Sequence, residues 1–259
     1  MKAIRVYQCE DTPEGIFSAV YDAGVSGYGH DHIRIQALTP GLHENLDLFS
    51  EYIKVEPEQR KADKVLQSVR DKISVAVYEH ILRVAGSADE DKADVIYHFI
   101  VYGFTLGAKV TDALQIPCVQ RIFEMNRKIQ NEVHYYLEFL RFQEISLKQP
   151  VLLAVFEPKN VILPLVTRHF ADRLNPEWFI IYDKTHQTAS FHCPDGQWYV
   201  RKLEQEEGKR LEELETQEGE YTDLWKTFFQ AICIQERANS DLQRNHLPLY
   251  FRNHMPEFQ

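Results

Sequence analysis

Val151-Leu152-Leu153-Ala154-Val155-Phe156-Glu157-Pro158 is the stretch on which the fold turns. A continuous apolar run of this length, closed by Glu157 and Pro158, reads as a buried strand. What precedes it reads differently. Val119, Ile122, Phe123, Ile129, Val133, Leu137 and Leu140 recur at helical spacing and predict a long helix. Val65, Val69, Ile73, Val77 and Ile81 keep a four-residue step, and Val95, Ile96, Phe99, Ile100 and Phe104 mark another helix. Ser87-Ala88-Asp89-Glu90 has the capping-box form that would open it. The pattern thus changes from helices to strands near residue 150.

Upstream, Lys2 to Cys9 and His32 to Leu38 read as strands. Between them lies a helix that Thr12 would cap, with Pro13 in its first turn. Downstream, Asn160 to Leu174 reads as a helix with Pro164 either near its start or kinking it. Trp178 to Asp183, Thr188 to Cys193 and Trp198 to Val200 read as strands, the last two joined by an Asp195-Gly196 turn. Tyr221 to Ile234 is an aromatic-rich helix. The fold class is α+β, a small mixed or antiparallel sheet with a large helical portion in the middle of the chain. Residues 1–40 would form a strand–helix–strand unit joining the main sheet, residues 41–148 a helical region, and residues 149–259 an α+β region.

Composition narrows the classes. The 259 residues are 44% hydrophobic and 26% charged, which suits a globular chain rather than a disordered one. No apolar run approaches the ~20 residues of a membrane span, and Met1 to Val6 lacks a signal-peptide apolar core. A cytoplasmic protein with no membrane contact is expected. Cys9, Cys118, Cys193 and Cys233 form no C-x-x-C pair, so reduced, mostly buried thiols are expected, and no iron–sulfur cluster held by this chain alone. No cofactor motif is present. His30-Asp31-His32 lacks an identifiable third ligand, so no metal is expected. Gly24 to Gly29 follows a helix rather than a strand and reads as a flexible connection, not a phosphate loop. Net charge is −10, with eight acids and two bases in residues 203–220, a run that reads as a solvated helix or loop.

Three segments place polar groups among core-like residues. His134, Glu138 and Arg141 are spaced to share one helical face, where Glu138 could orient His134 or pair with Arg141. Spacing alone favours a surface salt-bridge ladder. His169 and Arg173 lie one turn apart, before a strand ending in Asp183, which is either a catalytic carboxylate or the start of the turn toward Lys184. The last segment carries Trp225, Phe228, Phe229, Arg237, Gln243, Arg244 and Tyr250. Its aromatic residues at helical spacing read first as core. Arginine and amide groups interleaved with aromatics are also the vocabulary of phosphate clamps and base stacking.

These segments resemble a bacterial family of DNA metabolism and repair proteins. The similarity runs through Pro13-Glu14-Gly15-Ile16-Phe17, Val133-His134, Phe139-Leu140-Arg141-Phe142, His169-Phe170-Ala171-Asp172-Arg173, Trp178, Ile181-Tyr182-Asp183, Leu224-Trp225-Lys226, Phe228-Phe229, Ile232, Ile234, Glu236-Arg237, Leu242-Gln243-Arg244, Pro248 and Tyr250. It covers essentially the whole chain, most weakly over residues 25–110. Two departures stand out: Leu249 replaces a basic residue of the family's tail, and Phe251 replaces its tryptophan. The resembled domain also occurs fused to uracil-DNA-glycosylase-like modules, and its stand-alone form is encoded beside a radical-SAM protein.

The resemblance implies DNA as a partner and a binding or accessory role beside the radical-SAM protein. It ranks Arg141, Arg173, Arg237, Gln243, Arg244 and Tyr250 as nucleic-acid-binding candidates. The alternative is a glycosylase- or hydrolase-type enzyme. There His134 or His169 would be the general acid/base, Asp183 the carboxylate, and Arg141 or Arg173 the anion stabiliser. A third, structural reading makes His134, Arg141, Arg173 and Arg237 a buried polar network that fixes the helices onto the sheet.

Overall fold

The structure is a computed structural model that describes residues 3–38, 48–146, 149–215, 220–232, 239–252 and 254–258. The chain divides into two compact units, Met1–Gln130 and Asn131–Gln259. With a three-stranded and a five-stranded sheet among the helices, the fold is α+β, as expected from the sequence.

In the first unit, β1 (Ile4–Glu10) is central and pairs in parallel with β2 (Ile33–Leu38) and β3 (Ser50–Lys54). Among the described residues this sheet has three strands, and the strands after residue 150 form a separate one. The expectation that the N-terminal strands would join those after residue 150 is therefore corrected. β3 also places a strand inside residues 41–148, read as a helical region. Thr12 caps α1 (Pro13–Val25) by accepting the Gly15 N–H at 3.0 Å. A Cβ at residue 15 would lie 2.6 Å from the Glu10 carbonyl, so the tight strand-to-helix corner needs glycine there. Ile16, Phe17 and Val20 then pack with Val65 and Val69 of α2 (Gln59–Lys72) and with Val77, Ile81 and Val84 of α3 (Val75–Ala85).

The core is completed by Ile96, Phe99 and Ile100 of α4 (Lys92–Leu106), and by Val119, Ile122 and Met125 of α5 (Pro117–Phe139). Ser87 does not form the expected capping box. Its hydroxyl bonds the backbone and side chain of Asp89, and α4 starts only at Lys92, so the local turn takes the groups a box would use.

The second unit holds a sheet ordered β4 (Gln143–Ser146), β5 (Pro150–Phe156), β6 (Phe179–Asp183), β7 (Thr188–His192) and β8 (Trp198–Lys202). Only β5 and β6 run parallel, joined through α6 (Leu163–Arg173), with Pro164 in its first turn. The other neighbours are antiparallel, and the Asp195-Gly196 turn closes β7 to β8. One sheet face, with Ile145, Val151, Leu153, Val155 and Tyr182, packs against Leu211 and Leu214 of α7 (Gln205–Glu215), which the acidic run forms. Phe179 of the other face stacks on His192 and meets Phe142, which also contacts Phe170 of α6. α8 (Glu220–Ile232) and α9 (Ser240–His246) follow. Among the described residues no helix is long and apolar enough to cross a membrane.

Candidate functional site

The structure keeps some of the groupings that spacing implied and takes Arg141 out of its own. His134, 70% exposed, pairs with Glu138 at 3.2 Å, so the ladder reading holds for that pair. Arg141 leaves the ladder because α5 ends at Phe139. Its guanidinium turns back, with Nη1 donating to the Glu138 carbonyl and Nε and Nη2 donating to Glu257 Oε1 at 3.1 and 2.8 Å. The Glu257 carboxylate is 1% exposed, which makes Arg141 a structural anchor of the C-terminal segment. His169 and Arg173 lie exposed on α6 with Arg168, and among the described residues neither arginine has a carboxylate partner. Gln243 and Arg244 are exposed on α9, where Arg244 makes a loose 3.8 Å contact with Asp241. Arg237 lies outside the described residues. Of the aromatic residues read as core, Trp225 and Phe228 are exposed, while Phe229 meets Phe258.

Asp183 behaves as the turn reading predicts, and it does more. At 0% exposure its carboxylate accepts the His186 backbone N–H at 3.0 Å and meets His186 Nδ1 at 2.7 Å. Burial pushes its pKa up against the opposing hydrogen bonds from His186. With Nδ1 engaged, the half-buried imidazole keeps Nε2 without a partner among the described residues. A carboxylate holding one ring nitrogen while the other stays free is the arrangement that orients a histidine for proton transfer.

Parallel pairing explains the location. Register places Phe156 beside Asp183, so the loops leaving β5 and β6 emerge together at the carboxyl ends of the two parallel strands. Open sheets carry their sites there. Glu157 leaves β5 and Lys184 leaves β6, and their charges meet at 3.1 Å. Lys184 also reaches Glu212 of α7 at 3.1 Å, and these two carboxylates hold its pKa up. His254 joins from the tail, with Nδ1 3.0 Å from Glu215 and Nε2 3.6 Å from Glu157. Burial alone would lower its pKa, but the two carboxylates outweigh burial and raise it. The Tyr250 hydroxyl donates to the Glu157 carbonyl, and Lys159 Nζ lies 5.3 Å from the Tyr250 ring. Tyr250, ranked as a base-stacking candidate, is thereby committed to holding the tail.

These groups form a chain of alternating charge, Glu215, His254, Glu157, Lys184 and Glu212, beside the Asp183–His186 pair. A hollow lined by Tyr136, Arg141, Glu157, Tyr250 and His254 has a volume of about 10 Å³, room for a water molecule and not for a nucleotide. Among the described residues no cluster of three or more ligating side chains could hold a metal ion. The sequence reading missed Glu157, Lys184, His186, Glu212, Glu215 and His254. The available signal was positional: Glu157 and Lys184 each directly follow a buried strand. Residues 90–257 match the family model of a domain of unknown function, DUF4130. No curated protein matches the chain.

Proposed function

The chain belongs to the DUF4130 family, and from that footing we propose that it is a DNA-associated binding or accessory module acting with a radical-SAM partner. The observation supporting this reading is the division of labour among the guanidiniums of the second unit. Arg141 and Arg201 are tied to Glu257 and Glu207. Arg168 and Arg173 stand exposed on α6 beside His169, and Asp172 on the same helix pairs with neither. Cations left without an internal partner are what phosphate contacts require. Gln243 and Arg244 on α9 offer a second set of exposed donors.

The test is fluorescence anisotropy with single- and double-stranded DNA across a salt series, with and without the partner. Binding should weaken linearly in log salt, and R168E/R173E should lower the slope by about two, one counterion per lost phosphate contact. Absence of binding at low salt to either DNA form, alone and with the partner, would overturn the reading.

A second reading, a glycosylase- or hydrolase-type enzyme, is favoured by one observation: the Asp183–His186 pair with its free Nε2. The roles first given to His134 and His169 pass to His186. Asp183 would orient the ring rather than attack, since its carboxylate is enclosed. Loss of base release or strand hydrolysis in H186A, with DNA affinity unchanged, would support this reading. Wild-type protein without either activity would refute it.

A further inference from the structure

The first unit contains a feature that the DNA reading does not use. Side chains of α1, α2 and α4 line an open groove of about 500 Å³. This is within the range of small-molecule sites, roughly 300–1,000 Å³. Its floor and walls are Val20, Val65, Ile100 and Phe104. Two further lining residues, Tyr97 and His30, share a 2.7 Å hydrogen bond between the phenol hydroxyl and Nδ1, and Gln67 and Ser68 add polar groups from α2.

The rim is cationic on balance. Lys64 and Lys72 project from α2 about two turns apart, neither with a carboxylate partner among the described residues, against the single carboxylate of Asp71. Lys64 is held with its ammonium 5.4 Å from the Tyr21 ring, another lining residue. In a chain of net charge −10, two unpaired lysines over an apolar floor favour an anion with an apolar body. Gly24, the first residue of the Gly24 to Gly29 segment, also lines the groove. A Cβ built on it meets nothing within 4 Å, so this part of α1 borders open space.

We propose that this groove is a binding site for a small apolar carboxylate, with the hydrocarbon body on Val20, Val65, Ile100 and Phe104 and the carboxylate beside Lys64 and Lys72.

The probes are 2-naphthoate and its neutral analogue 2-naphthalenemethanol, titrated calorimetrically into the full chain. Naphthoate should bind saturably at one site, and more tightly than the alcohol. G24L should abolish naphthoate binding by filling the groove, while replacing a helical glycine keeps the melting temperature at or above that of the parent. K64M/K72M should weaken naphthoate about five-fold and leave the alcohol unchanged, the scale of two solvent-screened charge contacts. This pair tests the proposal even if G24L fails to fold. No saturable binding, unchanged binding in a folded G24L, or equal binding of both probes insensitive to the lysine changes would each overturn it. DNA binding is measured on other residues, so either proposal can fail alone.

Discussion

Replacing Arg141 by methionine tests whether this residue holds the tail rather than a ligand. The guanidinium spends two donors on Glu257 Oε1 at 2.8 and 3.1 Å and a third on the Glu138 carbonyl. Glu257 Oε2 is buried with no hydrogen-bond partner among the described residues, so the carboxylate depends on Arg141. Losing one member of a fully buried pair costs about 3–5 kcal/mol. Arg141 is 29% exposed, which lets water answer part of the loss and brings the expected cost to about 2–3 kcal/mol. For a unit of this size that corresponds to a fall in melting temperature of about 8–12 °C, readable by scanning calorimetry. R141M/E257M removes both charges and should recover most of the stability, because an apolar pair can replace a buried ion pair at little net cost. A coupling of at least about 1.5 kcal/mol should appear in the double-mutant cycle. If R141M costs less than about 0.5 kcal/mol, or the double variant loses the sum of the singles, the anchor assignment is wrong.

Further outcomes follow from the geometry. Gly208 of α7 faces Tyr182 so closely that an added Cβ would overlap the phenol oxygen and lie 2.9 Å from Cζ; G208A should cost about 1–3 kcal/mol, and adding Y182F should restore part of it in denaturant melts. T12A removes the cap of α1 and should cost about 1 kcal/mol by the same measurement. His254 has its folded pKa raised above the ordinary value near 6.5, so its contribution is full below that pH and declines as pH rises through the folded value. H254N should flatten that decline in unfolding free energy, and an unchanged pH profile would show that Glu215 and Glu157 do not hold the proton there.

Much of the architecture was legible because its signals are local. The unbroken apolar run of β5, the period of α5 and the Thr12-Pro13 start each need only neighbouring residues to be read. β3 and β4, Ser50-Glu51-Tyr52-Ile53-Lys54 and Gln143-Glu144-Ile145-Ser146, were missed because they are short and polar, and pairing with β1 and β5 defines them. The candidate site was harder still. Asp183 was named, but its partner His186 gains meaning only once burial encloses the carboxylate. Glu157, Lys184, Glu215 and His254 come from four separate elements, and no spacing rule links them. Arg141 shows the opposite error: its position implied a helical face, and the end of α5 two residues earlier sent the side chain elsewhere.

α5 runs from Pro117 to Phe139, so the division after Gln130 falls inside a continuous helix. Anyone wishing to study the second half of the molecule by itself inherits that fact. A fragment starting at Asn131 would open in mid-helix, with four amide hydrogens stripped of their acceptors and no residue chosen to cap them. Starting at Pro117 instead would keep the natural beginning but strand Val119, Ile122 and Met125 in water, since their packing partners lie upstream. Useful dissection therefore needs an engineered cap at the cut, or polar replacements along the orphaned stripe.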